Sequence, residues 1–155
     1  MKKIVLLAIG LMLFMISLTP SLALEEKTIR MLAIEMRENK IENQSIINEI
    51  KQIRLSIRTE LKQIREEDIT IDPDTLTLIE QLMNDIREIR TSILSTKGNI
   101  MELQENARPL IKQREWDEVR AIYEQIIDIQ ETRNEELFRL LEKMNQVYEL
   151  VKNIL

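Results

Sequence analysis

The chain has 155 residues, with no Cys and no His and only two Gly and three Pro. Without Cys there is no disulfide. Without Cys or His there is neither a zinc site built on those ligands nor catalysis by a Cys or His nucleophile or base. A glycine-rich phosphate loop is excluded too, because Gly98 is the one glycine beyond Gly10. Aromatic residues make up 3% of the chain, against 32% charged and 44% hydrophobic residues. Charged and aliphatic residues with few breakers are the composition of long helices and coiled coils.

Residues 1–23 have the layout of a secretory signal peptide. Lys2 and Lys3 form a basic start, Ile4 to Leu18 an apolar run, Pro20 a helix break, and Ser21-Leu22-Ala23 a small-x-small cleavage site. The apolar run of about 15 residues is shorter than the roughly 20 that span a bilayer, so cleavage after Ala23 is expected rather than retention as an anchor. The junction has no Cys to lipidate. Without Lys2 and Lys3 the 22 basic residues fall to 20 against 27 acidic ones, a net charge of −7. That balance argues against nucleic acid as a partner, which calls for a broadly basic face. An exported chain without disulfides must hold together by packing alone, which points to the bacterial periplasm or the extracellular side of the envelope. Asn43-Gln44-Ser45 matches the N-glycosylation acceptor pattern, a triplet that arises often by chance.

Residues 24–155 read as a single helical domain, with helices at about 26–67, 73–107 and 116–154. Asp72-Pro73 is a helix start, a capping carboxylate followed by Pro at the first helical position. A second break is expected near Arg108-Pro109. Apolar residues recur at steps of three and four. They run Ile46, Ile50, Ile53, Ile57, Leu61, Ile64 in the first stretch and Ile79, Leu82, Ile86, Ile89, Ile93 in the second. The third runs from Val119 through Ile122, Ile126 and Ile129 and, past a polar interruption at Arg133, from Leu137 to Ile154. These are heptad-like seams. The expected fold is all-α: an elongated three-helix bundle or coiled-coil hairpin of long antiparallel helices, with Gly98 and Thr96 a weak point in the second. A repeat is also visible. Asn48-Glu49-Ile50-Lys51-Gln52-Ile53-Arg54-Leu55-Ser56-Ile57 matches Asn84-Asp85-Ile86-Arg87-Glu88-Ile89-Arg90-Thr91-Ser92-Ile93, 36 residues later, through duplication or through the mimicry common in coiled coils.

Carboxylates are the abundant reactive groups, but paired acid–base work needs a pocket that raises one pKa, and thin helices offer none; no enzyme activity and no cofactor are expected. The acidic turn Glu66 to Asp74 lacks the residue order of a calcium loop and reads as capping and solubility. Lys51, Arg54, Arg58, Lys62 and Arg65 lie one residue past the first seam and flank its buried face. They are the candidate partner-binding residues, holding acidic or partly unfolded protein; the alternative is a solvated flank with weak salt bridges. Glu124, Asp128, Glu131, Glu135 and Glu142 form an acidic stripe read as solvent face, and Trp116 and Tyr123 read as packing anchors at the bundle end.

The stretch Pro109 to Ile122, with Trp116-Asp117-Glu118-Val119-Arg120-Ala121-Ile122 at its end, and the later Asn145-Gln146-Val147-Tyr148 resemble the last helices of Spy-type periplasmic chaperones. The resemblance covers roughly the final 45 residues. The family's Leu-Thr signature has Gln three residues after the Thr, whereas here Leu76-Thr77 is followed by Gln81. The resemblance implies an elongated helical cradle, often dimeric, that holds unfolded clients without ATP. Metal sensing, which in related proteins relies on His, is not implied. The expected function is therefore an exported, non-enzymatic protein that binds protein clients or partner helices, a chaperone or adaptor of the envelope and a homo-oligomer such as a dimer. The alternative is a structural coiled coil acting only through self-association.

Overall fold

Each apolar seam predicts one helix, and the computed structural model has three: α1 (Lys2–Glu66), α2 (Pro73–Gln113) and α3 (Trp116–Lys152). The structure describes the side chains of residues 24–155, and the expected leader, residues 1–23, lies outside them. Among the described residues there is no strand, and no helix is long and apolar enough to cross a membrane. The protein is an all-α three-helix bundle. At 1.5 Å per residue α2 alone is about 60 Å long, so the bundle is elongated.

The helix ends explain how a chain so poor in glycine turns. α1 stops where Asp68 takes a left-handed conformation (φ 56°), and the Ile69 N–H returns to the Ile64 carbonyl at 3.0 Å. α2 stops in the same way at Arg114 (φ 60°), with the Glu115 N–H on the Leu110 carbonyl at 3.0 Å. Both are the glycine-type helix stop made without glycine. The break expected at Pro109 is therefore corrected. α2 runs through Pro109 and reverses five residues later, at Arg114. Pro109 removes only its own hydrogen bond, to the carbonyl of Glu105, and both residues are exposed, where water can serve that carbonyl.

The Asp72 start is as expected. Its carboxylate accepts from the Thr75 N–H at 2.9 Å, and this bond, to a group that is best served by the anion, holds the Asp72 carboxyl below its ordinary 3.8. A lowered folded pKa means stability that is present above 3.8 and lost as pH falls through the depressed value. Asp72→Ala should lower the melting temperature at neutral pH, and the deficit should shrink as the buffer is taken below pH 3.8; thermal melts at several pH values check this. Gly98 sits inside α2, and a Cβ there would meet nothing within 4 Å. Gly98→Ala should raise stability by about 0.5–1 kcal/mol through the unfolded chain's lost freedom, measurable by urea denaturation.

The helices do not pack as three equal neighbours. α1 and α2 each pack along α3 and not on one another. The sequence favours antiparallel neighbours, and that holds for α2 and α3, which the tight turn joins and Lys143 Nζ to Asp85 Oδ2 ties at 2.8 Å. α1 in turn runs antiparallel to α2, an up-down-up order, and therefore packs on α3 in parallel. Asn43 meets Gln130 near one end, while Ile64 and Val151 share a core cluster at the other. The reason is the width of the α3 face. α3 buries neighbouring pairs such as Ile126 and Ile127, and half-buries Leu141 beside Leu140 and Tyr148 beside Val147. Such a face accepts two partners, whereas α1 and α2 each turn one narrow buried stripe toward it.

The core falls into two parts. The larger joins Ile46, Ile57 and Ile64 of α1, Leu82 to Ile93 of α2, and Leu137 to Val151 of α3. Toward the other end Ile29, Ala107, Val119, Ile126 and Ile127 are buried outside that cluster. Between them lies a polar layer. The Asn43 amide donates to the Asn39 carbonyl at 2.7 Å, and the Gln130 amide donates to the Met36 carbonyl at 3.2 Å. Arg133 and Asn134 stand at the same level, and counting equally along α2 and α3 from the Asp85–Lys143 bridge brings half-buried Thr96 there too. The layer occupies the place of the seam interruption at Arg133.

Candidate functional site: an apolar groove with basic banks

Because α1 and α2 are held apart on α3, a long apolar cavity of about 530 Å³ opens between them. Its floor is the α3 seam, with Leu140, Met144 and Val147. One bank is α1 from Ile47 to Leu61, and the other is α2 from Ile79 to Leu94. The α1 bank alone runs about 20 Å along the helix axis. Bank residues stay open to solvent: Leu61, which belongs to the first seam, is 41% exposed, and Leu94, one residue past the second seam at Ile93, is 68% exposed. A seam residue as exposed as Leu61 lacks the third helix face that would cover it in a closed bundle.

Of the five basic residues singled out by sequence, Lys51, Arg54 and Arg58 line the groove. Lys62 and Arg65 do not. Lys62 lies beyond the groove's end and reaches Glu66 at 3.6 Å, while Arg65 stands in the last turn of α1, where a cation favours the helix dipole. Leu61 is the last α1 residue in the groove lining. A fourth cation, Arg90, comes from the α2 bank. It stands one residue past Ile89 of the second seam, as Arg54 stands one past Ile53 of the first, and the repeat makes the two counterparts. No carboxylate lines the groove, and none of its four cations is in an ion pair among the described residues.

The other features flagged by sequence are placed outside the groove. Glu124 accepts from Arg120 at 2.8 Å, and that bond holds the guanidinium pKa above its ordinary value. The rest of the acidic stripe is exposed, and Trp116 and Tyr123 are half-buried on the first turns of α3. Asn43 is buried at 7% exposure, so the folded chain cannot present it as a glycan acceptor. Around the acidic turn no three carboxylates converge among the described residues. A second depression, of about 720 Å³ between α2 and α3, is lined by Leu78, Phe138 and Leu141 with Glu142 and Glu149 beside them, and contains no cation.

Chemically the groove offers apolar surface first and positive charge at its edges. Its lining has no carboxylate, hydroxyl or thiol, and apolar walls with cations at the rim suit binding. Compared with protein families, with curated proteins and with solved structures, the chain returns no match.

Proposed function

We propose that this chain is an exported, non-enzymatic helical protein that binds other proteins, acting without ATP as an envelope-stress chaperone or adaptor in the bacterial periplasm or at the cell envelope. The observation that carries this reading is the open groove, in which Leu61 of the first seam and Leu94 of the α2 bank remain exposed beside four cations. Apolar area supplies affinity for segments that a folded client would bury, and the positive banks attract them at a distance. The signal-like residues 1–23 and the resemblance of the final 45 or so residues to Spy-type chaperones support the compartment and the role. The test is light scattering of a denaturing client with the purified protein at equimolar amounts and without ATP. Suppressed scattering supports the reading. Unchanged scattering from a protein that forms a stable oligomer favours self-association instead.

A specific observation favours that second reading. On the outer face of α1, Leu24, Met31, Ile34, Ile41 and Leu55 are all exposed. Leu24 and Met31, and Ile34 and Ile41, are seven residues apart, the spacing of a second seam. Sedimentation of a Met31→Lys, Ile34→Lys, Ile41→Lys variant distinguishes the two. If α1 seams hold copies together, the oligomer dissociates, and scattering then reports whether clients still bind.

A further inference from the structure

We infer that the groove takes a single amphipathic helix with acidic residues on both flanks of its apolar stripe, seated as the fourth helix of the bundle. This rests on protein binding through the groove and specifies which segments bind. Four observations lead to it. The first is shape. Two helices on a shared third leave one corner open, and its length of about 20 Å matches a helical segment of about 14 residues, or four turns. The second is the absence of competing charge. An acidic flank would meet Lys51, Arg54, Arg58 and Arg90 with no carboxylate in the lining to repel it and no internal ion pair to break.

The third is how the charge is spread. Lys51, Arg54 and Arg58 cover two turns of α1, and Arg90 stands on the opposite bank. A fatty acid has one anionic end and would want cations gathered at one end of the groove. Charge over two turns of one bank and at one point on the other suits an occupant with anionic groups on both flanks and on more than one turn. The fourth is the repeat, which the other readings leave unused. Ile50, Arg54 and Ile57 on α1 correspond to Ile86, Arg90 and Ile93 on α2, and all six line the groove. α1 and α2 run in opposite directions, so each bank offers the same Ile–Arg–Ile pattern reversed. An incoming helix therefore meets a cation on either side, whichever way it enters.

The test uses the full chain and a fluorescent peptide of about 18 residues, long enough to be helical in part, with Leu on one stripe and Glu on both flanks. Comparison peptides carry Lys flanks or a scrambled order without the stripe, and palmitate is added as a competitor. Anisotropy should show the Glu-flanked peptide binding about tenfold or more tighter than either comparison peptide. Arg54→Glu with Arg90→Glu should weaken it by about tenfold or more and improve binding of the Lys-flanked peptide, a swap that a misfolded variant would not give. Lys62→Glu with Arg65→Glu, on the same helix beyond the groove, should change neither. Equal binding of the scrambled peptide overturns the inference. So does displacement of the Glu-flanked peptide by palmitate at equimolar concentration, or dissociation of a dimer by the Arg54 and Arg90 changes, which would make a second copy the occupant. Client scattering suppressed without any preference for acidic helices overturns this inference alone. Failure of both assays removes protein binding with it.

Discussion

Ile126→Ala should lower the unfolding free energy by about 2–5 kcal/mol, a large part of what a small domain has. Ile126 has no exposed surface and belongs to the smaller set of buried residues, with Ile29, Ala107, Val119 and Ile127. The cost depends on how well the surroundings close over the lost atoms. Here they close poorly. The polar layer of Asn43, Gln130 and Arg133 stands on one side and cannot move into an apolar void without giving up its hydrogen bonds. With so few residues in the cluster, the loss should also be local. Urea denaturation measures the total, and native-state hydrogen exchange locates it. Protection should fall most over residues 26–42, 100–112 and 118–130, and least around Ile57 and Val147. A loss below about 1 kcal/mol, or one spread evenly along the helices, would refute the division of the core.

Making the polar layer apolar should act in the opposite direction. Asn43→Leu, Gln130→Leu and Arg133→Met together should raise stability by about 1–4 kcal/mol. Asn39 Nδ2, Asn43 Oδ1, Gln130 Oε1, Arg133 Nε and Asn134 Oδ1 are all buried without a hydrogen-bond partner among the described residues. Groups desolvated on folding and only partly satisfied cost stability, and apolar side chains of similar volume join the two halves of the core instead. The layer's compensation is register. Seams with heptad-like spacing can slide by one repeat and still bury leucine on isoleucine, but sliding would set Asn43 and Arg133 against apolar residues. The triple variant should therefore melt later yet lose uniqueness, seen as broadened NMR amide signals or mixed species by sedimentation. A lower melting temperature would show that the layer contributes net stability as it stands.

The groove was half legible in the sequence. Lys51, Arg54 and Arg58 are found by counting one residue past an apolar seam, because a helix repeats every 3.6 residues and side chains so spaced share a flank. The same count extends to Lys62 and Arg65, which share that flank but lie past Leu61, the last α1 residue that lines the groove. A periodic count has no way to see where the space between two helices ends. On the second seam the same count reaches Arg90, one residue past Ile89, and the repeat points to it again. Pro109 misled because a proline signal is read as a stop, whereas the stop at Arg114 uses a left-handed arginine that leaves no mark in the composition.

By itself the sequence determined that this protein is three long helices with one start at Asp72-Pro73, a polar break near Arg133, and no disulfide, thiol chemistry or zinc site built on Cys or His. Those properties are local or compositional: periodicity, capping and the absence of particular side chains. Only the tertiary structure decided that α1 and α2 stay apart on α3, and hence that a groove exists. Any two apolar stripes can pair, and which stripe has to serve two partners depends on the width of the α3 face across all three helices at once.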